Sequence, residues 1–423
     1  MKLVSPAAPG ISLLLEVRMD INLLDPAHYV NGQPYELYRH LRETDPVHWH
    51  EEPYGGPGYF ALTRYADIKA VETDSATFAN APTTLINDDA RAGDETHQHL
   101  IFSDPPHHTE HRKFLSPELG VLAVRTGEDR LQELVHDIID RVIEKGECDF
   151  VEDIAGRMAS FVMADLIGLP REQSLVMFDA AATLASGADT SKGRGLEAAT
   201  IMYQWADAAR KERLESPRDD MLTRIAHGEV LGIPFDEFQF QLDFQLLVSA
   251  GSDTSRNVLA TGMLRLFENP DQYRALVADP SLVPQAVEEM LRFDPPIVFQ
   301  RRTVMRDTEI GGVAIRKGQK VANYYGAANR DPAVFSDPDT FDIRRSPNPH
   351  LAFGAGRHFC LGTHLARAEL VAMFTALVTR MPDLRATGDT VWHELPETPS
   401  VIGPTAIPVA FTPGVRLGSA ALI

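Results

Sequence analysis

Apolar residues recur with a helical period through the central part of the chain, from about residue 104 to residue 293. The longest segment with this pattern runs from about Glu237 to Glu268, where an Asn-Pro pair ends it. Short extended runs bounded by glycine turns lie on both sides of the helical region, at 47–50, 58–62 and 296–324. We therefore predict a mainly α-helical fold with small antiparallel β-sheets, in which strands from both ends of the chain pair.

One cysteine lies in a glycine-rich loop directly before another predicted helix. The loop reads Phe353-Gly354-Ala355-Gly356-Arg357-His358-Phe359-Cys360-Leu361-Gly362. The helix dipole and free N–H groups at a helix N-terminus lower the pKa of a thiol, so we expect Cys360 to be anionic near neutral pH and to bind a metal. The glycines let the backbone bend around the sulfur and approach a flat cofactor. The alternatives are a buried structural cysteine and a nucleotide loop, although the glycine spacing fits no phosphate-binding motif.

The string F-G-x-G-x-H-x-C-x-G resembles the haem-binding signature of the cytochrome P450 family, the haem-thiolate monooxygenases. A second resemblance is Glu289-x-x-Arg292, followed by segments 329–332 and 335–341, which is similar to the structural Glu-x-x-Arg and meander of that family. On its own, this pair would be an ordinary helix ion pair worth about 0.2–0.5 kcal/mol. The resemblance spans residues 25 to 412. It implies the cytochrome P450 fold in a single large domain, with haem b (iron protoporphyrin IX) as cofactor and Cys360 as the iron ligand.

The centre of the longest helical segment has a sequence poorly suited to a helix. It reads Ala250-Gly251-Ser252-Asp253-Thr254-Ser255, in which the glycine costs about 1 kcal/mol and the polar side chains compete for backbone groups. The run resembles the oxygen-activation motif of the family. This implies that Asp253 and Thr254, in a locally opened helix, hold water and pass protons to dioxygen, for which Gly251 leaves room. The alternative is a packing kink in which the hydroxyls bond to the preceding turn.

The resemblance also implies which residues contact the two haem propionates. Asp104-Pro105-Pro106-x-His108-x-x-x-Arg112 matches a family motif and places His108 and Arg112 four residues apart, on one helical face. Arg302 and His350 match the other two propionate positions. Arg301 is a competing assignment for Arg302, because neighbouring residues of a strand point in opposite directions.

A group of histidines around the same motif offers a rival hypothesis, a zinc site. The group is His97, His99, His107, His108 and His111. We consider zinc the weaker interpretation, because the spacing is not His-Glu-x-x-His and no cysteine or carboxylate recurs at a supporting distance.

The composition restricts the partners and the compartment. A formal net charge of −20 over 423 residues opposes binding to nucleic acid or to an anionic membrane, and favours small neutral or apolar ligands. Cys148 and Cys360 are too few for a disulfide framework, which indicates a reducing cytoplasm. The apolar run at 11–15 is far shorter than a membrane span.

We interpret residues 25–412 as the catalytic domain, preceded by an N-terminal extension at 1–24 and followed by a C-terminal tail at 413–423. Disorder is one interpretation of the extension. Met1 and Met19 remain alternative starts.

The resemblance implies a monooxygenase that inserts one oxygen atom from O2 into a C–H bond of a lipophilic small molecule. We expect a terpenoid or steroid-like substrate, because segments 299–303 and 348–350 are similar to those of bacterial members that hydroxylate such compounds. Electrons are expected from a ferredoxin and an NAD(P)H-dependent ferredoxin reductase. A haem-thiolate peroxygenase, which typically lacks the acid–alcohol pair, and a non-catalytic haem binding or sensor protein are the alternatives.

Overall fold

Helices form most of the protein in a computed structural model that describes residues 21–52, 55–87, 97–185, 193–392 and 400–418. The predicted N-terminal extension and C-terminal tail lie partly outside these residues. The α-helices of the described residues are α1 (Tyr35–Thr44), α2 (Tyr65–Thr73), α3 (His107–Leu119), α4 (Val121–Thr126), α5 (Glu128–Asp140), α6 (Arg157–Ile167), α7 (Arg171–Ala185), α8 (Gly193–Glu215), α9 (Met221–Ala226), α10 (Glu237–Glu268), α11 (Pro270–Ala278), α12 (Val283–Phe293), α13 (Tyr325–Ala328) and α14 (Thr363–Arg380).

The strands are short and belong to one larger sheet and several small ones. They are β1 (Val47–His50), β2 (Tyr59–Leu62), β3 (Phe78–Ala79), β4 (Glu147–Asp149), β5 (Glu229–Val230), β6 (Ile233–Pro234), β7 (Phe299–Val304), β8 (Thr308–Ile310), β9 (Val313–Ile315), β10 (Lys320–Tyr324), β11 (Arg385–Ala386), β12 (Val391–Trp392), β13 (Pro404–Ala406) and β14 (Pro408–Ala410). The predicted class, mainly α with small antiparallel sheets in one domain, is confirmed.

The largest sheet joins strands from both ends of the chain, as predicted. Its order is β1-β2-β10-β7-β3. The β2–β10 pair is parallel, with Tyr59 opposite Lys320, while the other pairs of this sheet are antiparallel. The pairing of β7 with β10 places Arg302 opposite Val321 and Arg301 opposite Ala322. The two arginines therefore lie on opposite faces of the sheet.

Helix α10 runs through the centre of the protein and has the predicted bounds. Asp236 caps its N-terminus by accepting a hydrogen bond from Gln239 N at 3.0 Å. Its first half, with Phe240, Phe244 and Leu247, packs into one apolar cluster with α3 and α6–α9. Its second half packs into another cluster with α5, α6, α12 and α14. The polar centre, 251–255, thus lies where the two clusters meet.

A buried ion-pair network holds the segment that precedes the cysteine loop. Arg292 donates from Nε and Nη2 to the two carboxylate oxygens of Glu289, at 2.7 and 2.8 Å, and neither side chain is exposed. Glu289 also accepts hydrogen bonds from Asp342 N, Arg345 and Asn348. The sequence interpretation of this pair as structural agrees with these contacts, because they join α12 to the chain at 342–348.

Candidate active site

The cysteine loop is bent by two glycines that other residues would not replace. Gly354 and Gly356 have φ of +68° and +67°, which L side chains rarely adopt. A Cβ at Gly356 would also lie 2.3 Å from the carbonyl oxygen of Glu72. Cys360 N donates to Phe353 O at 2.9 Å and closes the loop, and α14 begins three residues later. The backbone therefore presents Cys360 at the N-terminal end of α14.

The loop alone does not make Cys360 anionic, which corrects the expectation from the sequence. Burial raises the pKa of the thiol, and this effect exceeds the opposing effects of a hydrogen bond from Gly362 and of the cations Arg112 and Arg367. A bound metal cation is what would stabilise the thiolate here, because metal binding and deprotonation of a ligand are coupled.

Two histidines and an arginine form a cluster of hydrogen-bonding side chains beside Cys360, in which Arg112 carries the positive charge. The rings of His108 and His358 have centroids 4.0 Å apart. Burial, with smaller contributions from His358 and Arg112, lowers the pKa of His108 to about 3. His358 Nε2 is buried without a hydrogen bond, and the Asp104 carboxylate lies 3.7 Å away, beyond hydrogen-bonding distance. The cluster thus has room for a further anionic group.

His350 does not join this cluster. Its Nε2 contacts Glu288 Oε2 at 3.1 Å, and its Nδ1 accepts a hydrogen bond from Ala352 N at 3.2 Å. Burial raises the pKa of Glu288, but Arg367 and His350 lower it more, to about 2. Both ring nitrogens of His350 are therefore engaged, and the structure favours His358 over His350 as the histidine available to a propionate.

Arg302 lies on the side of the sheet that faces the cysteine loop. Its Nη2 donates to Glu72 Oε1 at 2.7 Å, and Glu72 also accepts from Asn323, Tyr325 and the loop amide Ala355 N. Arg301 points the other way and donates to Leu85 O at 3.2 Å. The geometry favours Arg302 over Arg301 for a role at the loop, where it shares its guanidinium with the buried carboxylate of Glu72.

One stripe of α10 remains uncovered in the middle of the protein. Leu246, Ala250 and Thr254 are four residues apart and are exposed or partly exposed, whereas Ser252, Asp253 and Ser255 are buried. Thr254 Oγ1 donates to Ala250 O at 2.8 Å, so its lone pairs remain available. The helix is continuous at this point, and the predicted local opening is absent. The back-bonded hydroxyl that we gave as the alternative is present.

Asp253 faces a different space from Thr254. Its carboxylate pairs with Arg256 Nη2 at 2.8 Å, and both residues line a polar cavity of about 730 Å³ that opens to solvent. Arg157, Arg194 and Glu152 are also in its lining. Asp253 is therefore placed on the solvent side of α10, next in sequence to a threonine on the uncovered stripe.

Gly251 has a packing role that the sequence did not indicate. A Cβ at this position would lie 2.2 Å from Met163 Sδ of α6. The missing side chain leaves room for the neighbouring helix. The space at Gly251 is thus taken by Met163, in contrast to the expectation that it accommodates dioxygen, whereas Ala250 lies on the uncovered stripe.

The helical fold and the cysteine loop are those of a haem-thiolate protein, and comparison with known proteins agrees. The family model described as Cytochrome P450 matches residues 235–381. A putative cytochrome P450 126 of Mycobacterium tuberculosis is 34% identical over 393 residues, which cover 88% of this chain and 93% of the relative. The chain belongs to the cytochrome P450 family and is a cytochrome P450 monooxygenase, an oxidoreductase.

Other relatives and solved structures are similar over most of their length. A steroid C26-monooxygenase of Mycolicibacterium smegmatis is 34% identical over 94% of this chain and 97% of its own length. The Mycobacterium marinum cytochrome P450 solved in complex with pseudoionone has a TM-score of 0.83 and 32% identity, covering 93% of this chain and 99% of that chain. A myxobacterial cytochrome P450 in complex with myristic acid has a TM-score of 0.82 and 31% identity, covering 92% and 98%.

The family implies a haem, and the residues present fit one. The half-buried thiol of Cys360 would bind the iron, and the His358 nitrogen that lacks a hydrogen bond, beside His108 and Arg112, would suit a carboxylate. A Cβ at Gly362, two residues after Cys360, would meet nothing within 4 Å, so the loop borders open space there. For the histidine-rich segment, no group of three metal-ligating side chains that could hold an ion is found in the described part of the chain.

Two residues of the site were missed from the sequence. His358 lies two positions before Cys360, inside the motif F-G-x-G-x-H-x-C-x-G. Its position in that motif could have identified it as a residue of the site. Glu72 belongs to no motif, and its contacts with Arg302 and Ala355 join segments more than 200 residues apart in sequence. No local pattern could have identified it.

Proposed function

We propose that the protein inserts one oxygen atom from O2 into a C–H bond of a lipophilic substrate of steroid or terpenoid type. The observation that supports this most is the placement of Asp253 and Thr254, one facing a solvent-connected cavity and the other the uncovered stripe of α10. The Cys360 Sγ would ligate the iron of haem b, and His108, Arg112, His358 and Arg302 would hold its propionates. When bound, the haem supplies oxygen activation.

The two residues of the acid–alcohol pair have distinct tasks in this reaction. Asp253 takes up a proton from the polar cavity, where Arg256 orients its carboxylate. The Thr254 hydroxyl donates its hydrogen bond to Ala250 O. Its oxygen can therefore accept a hydrogen bond from water or from a ligand beside the uncovered stripe. A small shift of the Asp253 side chain then carries the proton from the polar cavity to the side of α10 on which Thr254 lies. General acid catalysis of this kind contributes about 10²–10⁴-fold to a rate.

Changing Thr254 to valine is expected to uncouple oxygen consumption from product formation. The variant should lose product at least about tenfold while NADH use continues and peroxide accumulates, because the hydroxyl no longer holds a proton donor in place. Product, NADH and peroxide are measured together. Thr261 is the matched control, since its Oγ1 makes the same type of bond, to Asn257 O at 2.8 Å, in the buried second half of α10. Equal coupling in both valine variants would contradict the role of Thr254.

Replacing His358 with alanine is expected to weaken haem binding about tenfold, because a charge-assisted hydrogen bond to a carboxylate is lost. The same change at His350 should leave haem affinity within about twofold and lower thermal stability instead, because its partner is Glu288. Haem transfer to apomyoglobin and a melting curve measure the two effects. The reverse pattern would restore His350 as the propionate contact.

The substrate class is supported by the relatives and by an aliphatic wall. Segments 296–298 and 400–402 pair through a bridge between Ile297 and Val401, with Val298 and Ile402 buried. We also expect pocket walls from residues 80–100 and 170–190, of which 88–96 and 186–190 lie outside the described residues. The relatives include proteins named steroid C26-monooxygenase, which supports a steroid-like substrate here.

The function is tested with purified protein, a ferredoxin, its reductase and NADH under isotopically labelled dioxygen. Cholesterol and testosterone are compared, since only cholesterol has a long side chain. The proposal expects one labelled oxygen atom in the cholesterol product, with NADH consumption that depends on substrate. Turnover with peroxide alone, and none with NADH, would favour the peroxygenase. Haem binding with no turnover of either kind would favour a sensor.

A basic surface next to the site suits an acidic electron donor. A pocket of about 560 Å³ is lined by residues that include His108, Arg112, Lys113 and Arg357. Arg345 does not contribute to this surface, because its side chain is bound to Glu289. We propose the ferredoxin as this donor.

We also propose a cytoplasmic location, which the two free cysteines support. Residues 25–412 would form the catalytic domain. Among the described residues, no helix is long and apolar enough to cross a membrane.

A further inference from the structure

The histidine-rich segment contacts one face of α10 through a row of polar side chains. Asp236, Gln239 and Asp243 are three and four residues apart, so they share that face. The contacts are His97 Nε2 with Asp236 Oδ2 at 2.7 Å, Gln98 N to Gln239 Oε1 at 3.0 Å, and His111 Nε2 with Asp243 Oδ2 at 3.0 Å. Gln239 Nε2 also donates to Gln98 O at 3.2 Å. We name these six residues the polar ladder.

The innermost contact of the polar ladder is costly to bury. Both side chains of the His111–Asp243 pair are 0% exposed, and the His111 ring lies 5.4 Å from that of Phe235. Removing two such groups from water offsets most of their attraction, so apolar residues of similar volume are often as stable or more stable. Stability alone therefore does not account for this pair. A directional contact does fix the relative position of the two elements that carry it.

Those two elements both border the proposed active site. Helix α3 carries His108 and Arg112 as well as His111, and α10 carries Thr254 eleven residues after Asp243. Segment 97–103 leads into α3, and its Leu100 packs in the same apolar cluster as Phe244 and Leu247 of α10. A shift of this segment away from α10 would widen the space beside the uncovered stripe.

We propose that Asp243, acting through His111, is a positioning residue that holds segment 97–103 and α3 against α10, and so sets how closely the pocket surrounds a bulky ligand. The proposal rests on the proposed function only in placing that ligand beside Thr254. The proposal accounts for the contacts of His97, Gln98 and His111 with α10, which neither zinc binding nor propionate binding explains.

The pH dependence of this contact also involves the titratable groups around it. The titratable groups that face it are His99 before α3, His107 and His108 on α3, and the Asp236–His97 contact near the surface. Burial, with a smaller effect of His111, lowers the pKa of His99 to about 4 and also lowers that of His107. These neighbours are neutral at pH 7, as is His108.

The direction of the pH dependence follows from Asp243. Burial raises the pKa of its carboxyl, and His111 and Gln239 oppose this. A group with a raised pKa stabilises the fold at low pH, and that stabilisation is lost as the pH rises through the folded-state pKa. Above that pKa the carboxyl is an ionised group in a buried site, which is unfavourable. We therefore expect the contact to weaken as the pH rises through the folded-state pKa of Asp243.

The first test is hydrogen–deuterium exchange of the holoenzyme. A double variant, His111→Phe with Asp243→Leu, replaces the pair by apolar residues of similar size, so its melting temperature should stay close to the original. Exchange in segment 97–111 should nevertheless rise about tenfold or more, because a directional contact is lost. Gln241→Ala is the control, since Gln241 contacts Asp207 of α8 at 2.7 Å. Unchanged exchange in the double variant would overturn the proposal.

The second test compares ligands of different size. Clotrimazole and imidazole both bind haem iron, but only clotrimazole reaches the pocket walls. The double variant should bind clotrimazole about tenfold more weakly and imidazole within about twofold. Equal losses for both would overturn the proposal, whereas failure of either ligand to bind the unmodified protein would instead contradict the proposed haem site.

Asp243→Asn serves as the conservative variant and as the test that remains if the double variant does not fold. It keeps a hydrogen-bonding side chain but carries no charge, so its clotrimazole affinity at pH 7 should stay within about twofold of the original. As the pH rises through the folded-state pKa of Asp243, only the unmodified protein should lose affinity. The same pH profile in both proteins would overturn the proposal.

Discussion

Replacing Cys360 with serine is expected to reduce substrate oxidation by at least about a thousandfold, because a serine hydroxyl does not provide the anionic sulfur that drives oxygen activation. The loop itself should survive, since its backbone contact from residue 360 to Phe353 O and the positive φ of Gly354 and Gly356 do not involve the sulfur. Product formation and circular dichroism separate loss of chemistry from loss of fold.

Cys148→Ser is the matched control for that experiment. Cys148 lies in β4, paired with β14, and burial raises the pKa of its thiol to about 12. It is therefore an unreactive packing residue, and its variant should keep activity within about twofold. Full activity in the Cys360 variant, or loss of activity in both variants, would contradict the assignment of Cys360 as the ligand.

Changing Glu289 to glutamine is expected to lower the free energy of unfolding by about 3–5 kcal/mol, because it leaves the Arg292 guanidinium charged and buried. Arg292 is fully buried, and its remaining partners are backbone carbonyls such as Asn329 O at 2.9 Å. The same change replaces one of the two oxygens that accept from Arg292, Asp342 N and Arg345 by an NH2 donor. Urea unfolding followed by circular dichroism measures the difference.

The pair Asp271–Arg274 has the same spacing on α11 and provides the control. Its side chains are 89% and 70% exposed, so Asp271→Asn should change the free energy of unfolding by less than about 0.5 kcal/mol. If Glu289→Gln destabilised the protein no more than Asp271→Asn, the network would not be the structural support described for the cysteine loop.

The sequence predicted those features whose information is local. The bounds of α10 follow from its apolar period, its Asp236 cap and the Asn-Pro pair that ends it. The cysteine loop could be read because its glycines and Cys360 stand within ten residues of one another. The pairing of terminal strands also followed, because the longest extended runs lie on the two sides of the helical region.

Features that depend on side chains from distant segments could not be read in the same way. The space around Gly251 is set by Met163 of a distant helix. The position of the His358 ring is set by its contact with His108, 250 residues earlier in the sequence. The His111–Asp243 pair joins residues 132 positions apart. The pKa of Cys360 was misjudged because the helix N-terminus was considered without the opposing cost of burial.

The central claim, that Cys360 ligates a haem iron, is tested most directly by the absorbance spectrum of the dithionite-reduced protein with and without carbon monoxide. A strongly red-shifted Soret band is the predicted result, and it should disappear in the Cys360→Ser variant while the Cys148→Ser variant retains it. No haem absorbance after reconstitution, or a Soret band that is the same in all three proteins, would contradict the account.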